Sequence, residues 1–588
     1  MLRLDFIKRL NSVSLILLVL LAIQLGFFIW AINRGLDFTD ETYGYMGFKH
    51  PEEVQTAATY YTVIFNAFFG WMGVSIVKVR IIRLLLLLFC GLAFALGLSK
   101  WFQRISYFDP THQTNLVLFI LLGSFLINAH GDQSFTYNIS SNFLLQLIGG
   151  GFLFLFQREK RVTGFYLLLY CCLGALLFLL FAVKFSNAIL LSLIILLMLF
   201  YDNRNLKIVT IYSLAMLLGA VTMGFLLFKG SFPGWLINYK NTLLLLNNSS
   251  SSSIWSRYIE DFHFTRTGKI GDHAIVVIVT IVLLLLNRQL RNEWMKAMLA
   301  LIIAGMMIFV TYDSVYYLGG PKHYYVYTGL YILLAFILIC VQILSVVINL
   351  IRKKNQAPMI SFMALLLMAI PFCGALGTGN LLSIQIMWYM SFFFAALYIL
   401  LYLNNAYILN MMVVVLGINA ALQSVSGLIY YPYRIDQALY EESNRLPEKV
   451  STEEILVNSK LKASVETAYD LIYSKTKFSK GDPIFASSPD YYGFIYLLDG
   501  VLPGWGWYDE KATNLNCISL RNTQARNLDR MIIFTPIYYE MDSIYLNCFS
   551  QMNINFPDNY VKVGEVPYFM GEIDRTFTIH VPKNILKE

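Results

Sequence analysis

The sequence predicts a polytopic α-helical membrane protein of about 13 transmembrane helices, with an interfacial helix in its first outer loop and a small C-terminal extracytoplasmic α/β or α+β domain. Three observations carry that expectation. Mean hydropathy is +0.59, with 57% hydrophobic and 14% charged residues, which excludes an ordinary soluble protein. Apolar runs of spanning length recur from Asn11 to about Leu428. They then stop, and residues 429–588 have globular composition with mixed charges and turn residues. The chain therefore divides into a membrane part, 1–428, and a soluble part, 429–588. The soluble part holds 16 basic and 21 acidic side chains, so the net charge of +8 comes from the membrane part. An excess so placed reports topology and not nucleic-acid binding.

The N-terminus is short and basic, with Arg3, Lys8 and Arg9 ahead of an apolar stretch at 13–32. A cleaved signal peptide has a shorter apolar core and a small-residue cleavage site. Here the stretch is of spanning length and ends Trp30-Ala31-Ile32-Asn33-Arg34, so it reads as a retained first helix. Further spans are expected at 84–98, 116–128, 142–156, 165–183, 188–200 and 209–228. Beyond them come 274–286, 298–310, 326–350, 361–375, 382–403 and 406–427.

The segment 54–77 is hydrophobic but polar-broken and aromatic-rich. If it lies in the interface, five basic loops fall on the side of the N-terminus: Lys100/Arg104, Arg158/Lys160/Arg161, Arg204/Lys207, Arg288/Arg291/Lys296 and Arg352/Lys353/Lys354. That obeys the positive-inside rule; if 54–77 spans, all five are translocated. The expected topology thus has a cytoplasmic N-terminus, an amphipathic platform at 54–77 and a periplasmic C-terminal domain, in a multi-pass protein of a bacterial inner membrane.

On this topology Asp37, Asp40, Glu41, Glu52 and Glu53 share the first outer loop. Asp132, Asp261, Asp272, Asp313 and the Gly319-Gly320-Pro321-Lys322-His323 turn emerge on the same face. Lys78, Arg80, Arg83, Lys184 and Lys322 break the positive-inside pattern. They either snorkel to outer headgroups or face the phosphate of a lipid-linked ligand, Arg through forked donors and Lys as a point charge. Acids and displaced bases on one face suit a site that binds a lipid phosphate and deprotonates an acceptor.

A first outer loop opening Asp40-Glu41-Thr42-Tyr43-Gly44-Tyr45, with an interfacial helix and Arg83 at the start of the second span, resembles the glycosyltransferase C superfamily. This class includes protein O-mannosyltransferases and aminoarabinose transferases. The resemblance makes 1–428 a transmembrane glycosyltransferase-C-like domain. It implies a polyprenyl-phosphate sugar as donor and a lipid, glycan or protein as acceptor. It assigns the catalytic base to Asp40, supported by Glu41, and a second acid to the next outer loop, His130-Gly131-Asp132-Gln133-Ser134-Phe135-Thr136-Tyr137-Asn138. The acid there is Asp132, and Asn138 stands where relatives often have Asp. Substrate contacts are expected from Tyr43, Lys78, Arg80, Arg83, Tyr137, Asn138, Lys184, Lys322 and His323. Pro371-Phe372-Cys373-Gly374-Ala375-Leu376-Gly377-Thr378-Gly379-Asn380 is similar to an outer turn of some bacterial relatives.

The implied chemistry is a one-step displacement that inverts the anomeric carbon, with a carboxylate removing the acceptor proton. Phosphate is already a good leaving anion, so cations stabilise its departure. The site needs no nucleotide and no glycine-rich phosphate loop, and neither is found. Adjacent acids and the histidines His50, His130, His263, His273 and His323 leave a divalent cation open as an alternative, although no HExxH or CxxC spacing appears.

In the soluble part a helix is expected at about 455–474 and strands at 483–486, 531–535, 560–563 and 576–581. Tyr491-Tyr492-Gly493-Phe494 and Gly504-Trp505-Gly506-Trp507-Tyr508 form either a sugar-stacking surface or the contact with the membrane part. Cys90, Cys171, Cys172, Cys340 and Cys373 lie in or beside spans and read as small apolar residues. Cys517 and Cys548, the two in the soluble part, are expected to pair.

Two rivals stand beside a glycosyltransferase. A polysaccharide ligase or polymerase taking a diphosphate-linked glycan would have similar outer loops. A lipid-linked sugar flippase or transporter is the other, although the span interiors are nearly free of the charges that coupled transport uses.

Overall fold

The structure, a computed structural model, describes residues 11–51, 59–105, 109–156, 162–202, 205–228, 358–375, 382–403 and 406–588. Within the last range 505–507, 509–512, 522, 524–525, 538–540, 542 and 571–572 are excepted, and isolated positions between 278 and 306 are added. The chain is mostly helical, with a small sheet region at the C-terminal end. Among the described residues seven helices are long and apolar enough to cross a membrane: Ser12–Ala31, Ile76–Ile105, Pro110–His130, Tyr137–Leu155, Gly164–Val183, Leu206–Phe228 and Leu409–Tyr430. Shorter apolar helices lie at Phe185–Tyr201, Ile360–Gly374 and Met390–Tyr402. The expected spans at 274–286, 298–310 and 326–350 fall wholly or mostly outside the described residues.

The helices begin earlier than the apolar runs do, because polar residues cap or open them. Asn11 caps the first, its side chain accepting from the Ser14 amide at 2.7 Å. Thr136 caps the helix Tyr137–Leu155, so Tyr137 and Asn138 sit in its first turn. The second span runs 30 residues from Ile76, about 45 Å at 1.5 Å per residue. Lys78, Arg80 and Arg83 are therefore in its opening turns and not in the loop before it. Lys100 and Arg104 stand at its far end, which gives the bundle one end with Arg80 and Arg83 and an opposite end with these two cations.

The first described membrane helix is tied to two others by buried polar contacts: Gln24 Nε2 donates to Ser424 Oγ of the last at 2.6 Å, and Ser14 Oγ to Asn115 Oδ1 of Pro110–His130 at 2.5 Å. Between Lys49 and Ile76 the described chain forms a helix, Tyr61–Phe69, and a 3₁₀ turn, Gly70–Met72. Phe68 and Trp71 are exposed there, Trp71 at 82%. The element expected as one platform at 54–77 is thus shorter, and its C-terminal part belongs to the second span.

The soluble part opens with a two-stranded pair, β1 (Asn444–Arg445) and β2 (Leu456–Val457). A helix, Ser459–Lys475, follows. Strands β3 (Ile484–Ala486), β4 (Ile532–Pro536), β5 (Tyr560–Val566) and β8 (Phe577–Pro582) form a mixed sheet in the order β3-β4-β8-β5. The β3–β4 pair is parallel and the other two are antiparallel. Short strands β6 (Phe569–Met570) and β7 (Ile573–Asp574) make a separate antiparallel pair. Every residue of the central strand β4 and of its edge neighbour β3 is buried, with apolar side chains on both faces. Cys517 and Cys548 form a disulfide with Cα atoms 5.7 Å apart, joining the helices Thr513–Arg521 and Ser543–Gln551.

This sheet region is seated on the first loop. The Gly35 amide donates to the Leu456 carbonyl at 2.8 Å, and the Leu456 amide returns a bond to Asn33 at 2.7 Å. Phe38 packs on Phe494 and Tyr568, with ring centroids 5.0 and 5.7 Å away. Its carbonyl accepts from the Gly493 amide at 2.9 Å, and a Cβ at Gly493 would enter the Phe38 ring. Tyr492 and Phe494 meet Tyr43 and Phe38 of the first loop, whereas buried Tyr491 packs on Phe577 of the sheet; Trp505 and Trp507 lie outside the described residues.

Candidate functional site

Asp37 organises the first loop. Its Oδ1 accepts from the Thr39 amide and hydroxyl at 2.8 and 2.6 Å, and its Oδ2 from the Glu41 amide at 3.2 Å. This brace starts a helix, Asp40–Lys49, that the apolar pattern does not disclose. Acids in its first turn favour it through the helix dipole.

Adjacent residues on a helix point about 100° apart. Asp40 and Glu41 consequently meet different surroundings. Glu41 turns inward and is 2% exposed. Its Oε1 accepts from Arg80 Nε at 2.7 Å and from the Tyr45 hydroxyl at 2.7 Å, and its Oε2 accepts from Arg80 Nη2 at 2.7 Å. Arg80 also donates to the carbonyls of Ile32 and Arg34 through Nη1, at 2.9 and 3.0 Å, and to Gly35 through Nη2 at 2.8 Å. All five N–H donors of Arg80 are engaged inside the protein. This corrects the expectation that Arg80 faces a ligand phosphate: it instead locks the chain leaving the first span, and Glu41 is its counter-ion.

Asp40 is left facing an opening, its side chain 28% exposed. Oδ2 accepts from the Tyr433 hydroxyl at 2.9 Å, and Arg434 Nη1 lies 3.6 Å away while bonding Thr39 Oγ1 at 2.5 Å. Oδ1 has no hydrogen-bond partner among the described residues. Tyr433 and Arg434 were not anticipated. Their signal is faint: an aromatic–basic pair, Tyr431-Pro432-Tyr433-Arg434, directly after the last span.

The second loop packs beneath this segment. Asp132 is buried, its Oδ1 accepts from the Ser134 amide at 2.7 Å, and its carbonyl accepts from Arg83 Nη2 at 2.9 Å. Arg83 Nη1 donates to Asn128 Oδ1 at 2.8 Å, so Arg83 also braces a loop. Burial pushes the Asp132 carboxyl up to about 6 against the opposing charge of Arg83. Burial and then the charge of Asp40 push Asp37 up to about 8. Of the three aspartates at this end, Asp40 has the largest exposure.

Asn138 and Lys184 are brought together, with Lys184 Nζ donating to Asn138 Oδ1 at 3.1 Å. The ammonium lies 5.7 Å from the ring centres of both Tyr137 and Tyr389, and the residue is 7% exposed. No carboxylate pairs with it among the described residues, and burial pushes it down to about 7. Tyr137, beside Lys184, and Tyr61 both feel the charge of Asp40. Half-buried Tyr43 adjoins Tyr492 at 6.1 Å.

Lys78 does not join them. It is exposed, and its Nζ donates to the Met72 carbonyl at 2.8 Å, because it lies two residues from Arg80 on another face of the helix. Lys322, His323, Asp261, Asp272, Asp313, His263 and His273 lie outside the described residues, as does the 376–381 turn. Among the described residues no three His, Cys, Asp or Glu side chains gather as a metal site.

No protein-family model matches this chain, and no curated protein does. Two solved structures are similar to it in overall arrangement: ArnT from Cupriavidus metallidurans in the apo state, and the same protein bound to undecaprenyl phosphate. Identities are 11% and 12%, coverage is 96% of this chain and 98% and 97% of theirs, and the TM-score is 0.40 for both. At that distance the likeness describes an arrangement, and the functional reading below rests on this chain's own side chains.

Proposed function

We propose that the protein is an integral-membrane glycosyltransferase that moves a sugar from a polyprenyl-phosphate donor to an acceptor hydroxyl, with Asp40 as general base. What supports this reading is an accessible carboxylate, Asp40, and a buried lysine, Lys184, that has no carboxylate partner among the described residues and lies against Tyr137 and Tyr389. A buried ammonium without an acid is costly. It becomes favourable when an anion enters, which is what a lipid monophosphate supplies. Asn138 fits the same logic: an aspartate there would neutralise Lys184, whereas the amide orients it and leaves its charge for the ligand.

The step follows from these placements. Asp40 Oδ1 takes the acceptor hydroxyl proton as that oxygen bonds to the anomeric carbon. The bond from anomeric carbon to phosphate oxygen breaks, and its electron pair leaves with the polyprenyl phosphate, opposite Lys184. Attack and departure on opposite faces invert the anomeric centre.

The test is transfer from polyprenyl-monophosphate sugars in detergent. Asp40→Asn should lower kcat about 100- to 10,000-fold while donor binding persists. Full activity in Asp40→Asn removes that carboxylate as base. Absence of wild-type turnover with any monophosphate donor rejects the reading in favour of a diphosphate-linked ligase or a flippase.

A further inference from the structure

The segment joining the last membrane helix to the sheet region supplies two residues to the site. We propose that Tyr433 and Arg434 are positioning residues for Asp40, holding its carboxylate so that Oδ1 alone is presented to the acceptor. This rests on the glycosyltransferase reading above and adds residues that neither the acidic motif nor its neighbours contain.

The geometry is specific at each atom. Tyr433 donates to Oδ2 at 2.9 Å, so the carboxylate plane is fixed through one oxygen while the other keeps its acceptor capacity. Burial and the charge of Asp40 push the Tyr433 phenol well up, which keeps it a donor. Arg434 approaches the same oxygen at 3.6 Å and reaches Thr39, the residue preceding the helix that carries Asp40. One guanidinium thereby holds both the base and the start of its helix. It also sets a positive charge beside Asp40 and Asp37.

Backbone features hold the pair in register. Arg434 has φ 53°, a left-handed conformation that a non-glycine residue rarely adopts. The Tyr433 amide donates to the Gly131 carbonyl at 3.1 Å, and the His130 ring lies 4.7 Å from the Tyr433 ring. Gly131 has φ 72°, and a Cβ there would lie 2.8 Å from Pro432 Cα and closer still to the Tyr431 carbonyl. A left-handed residue and a close glycine approach thus lie where the second loop meets this segment.

The experiment compares Tyr433→Phe, Arg434→Lys and Arg434→Met in the full-length protein, each alone and combined with Asp40→Asn. Turnover is read with a polyprenyl-monophosphate sugar that the wild type accepts. Tyr433→Phe should lower kcat about tenfold, the worth of a hydrogen bond to a charged group, with donor KM unchanged. Arg434→Met should lower kcat further than Arg434→Lys. In the Asp40→Asn background the residual rate should be the same with Tyr or Phe at 433, because the position acts through the missing carboxylate. Wild-type kcat in Tyr433→Phe, or losses that multiply unchanged in the Asp40→Asn background, would overturn the inference while leaving the glycosyltransferase reading intact. A wild type silent with every such donor overturns both.

Discussion

Replacing Arg80 by Met should be among the most damaging single changes in the protein, and the reason is arithmetic on its contacts. The substitution strips Glu41, a carboxylate 2% exposed, of its ion-pair partner. It also removes the donors to the carbonyls of Ile32, Arg34 and Gly35. Leaving one member of a buried pair alone costs about 3–5 kcal/mol, and each stranded carbonyl adds up to about 1 kcal/mol where water cannot enter. Together these come to about 4–7 kcal/mol, comparable with the whole stability of many domains. The double replacement Arg80→Met with Glu41→Met removes both charges and should recover about 3 kcal/mol of that loss, since an apolar pair avoids the stranded carboxylate. Unfolding by SDS titration in mixed micelles, on wild type, both single variants and the double variant, measures the cycle. A loss below 1 kcal/mol in Arg80→Met, or a double variant as unstable as the two losses added, would refute the buried-pair account.

Gly131→Ala should lower thermal stability and turnover together, because the added methyl meets the Tyr431 carbonyl and residue 131 has positive φ. An unchanged melting temperature in detergent would contradict it. Glu442 is fully buried, accepts one bond from Asn458 at 3.1 Å, and is pushed up to about 7 by burial. A carboxyl so raised binds its proton more tightly when folded. Its contribution is complete below the unfolded value of 4.5, declines as pH rises, and is lost above about 7. Glu442→Gln should therefore flatten the fall in stability between those two pH values, by an amount on the order of 3 kcal/mol at most, as thermal melts at pH 5 and pH 8 would show. An identical pH dependence in the variant would exclude Glu442 as its source.

The parts of the fold governed by local periodicity were readable from the chain. Long apolar runs give the described membrane helices, and the four strand-like runs of the C-terminal part all appear in one sheet. The helix Asp40–Lys49 escaped because Gly44 and Gly47 depress helix propensity and it carries no apolar stripe; the brace from Asp37 and packing beneath the sheet region stabilise it. At the site, residue types were legible but partners were not. Asp40 and Glu41 are equivalent in sequence, and their separation depends on Arg80, 39 positions beyond Glu41, and on Tyr433, 393 beyond Asp40. One clue was overlooked: Arg80 and Arg83, three apart, share a buried helix face, while Lys78 cannot. The Asn at 138 marked a departure whose meaning needed Lys184, brought in from the end of another span.

The pairing of Asp40 with Tyr433 and Arg434 also sets an order of assembly. A ribosome delivers the acids at 37, 40 and 132 hundreds of residues before the cation at 434, at about 5–20 residues per second. For that interval Asp40 lacks the partners that Tyr433 and Arg434 supply, and the first loop lacks the surface on which Phe38 packs. The loop reaches its working shape only when the final membrane helix has inserted and the sheet region has closed over it. A chain halted at residue 430 would hold Asp37, Asp40 and Asp132 and still lack the hydroxyl and guanidinium that meet the Asp40 carboxylate.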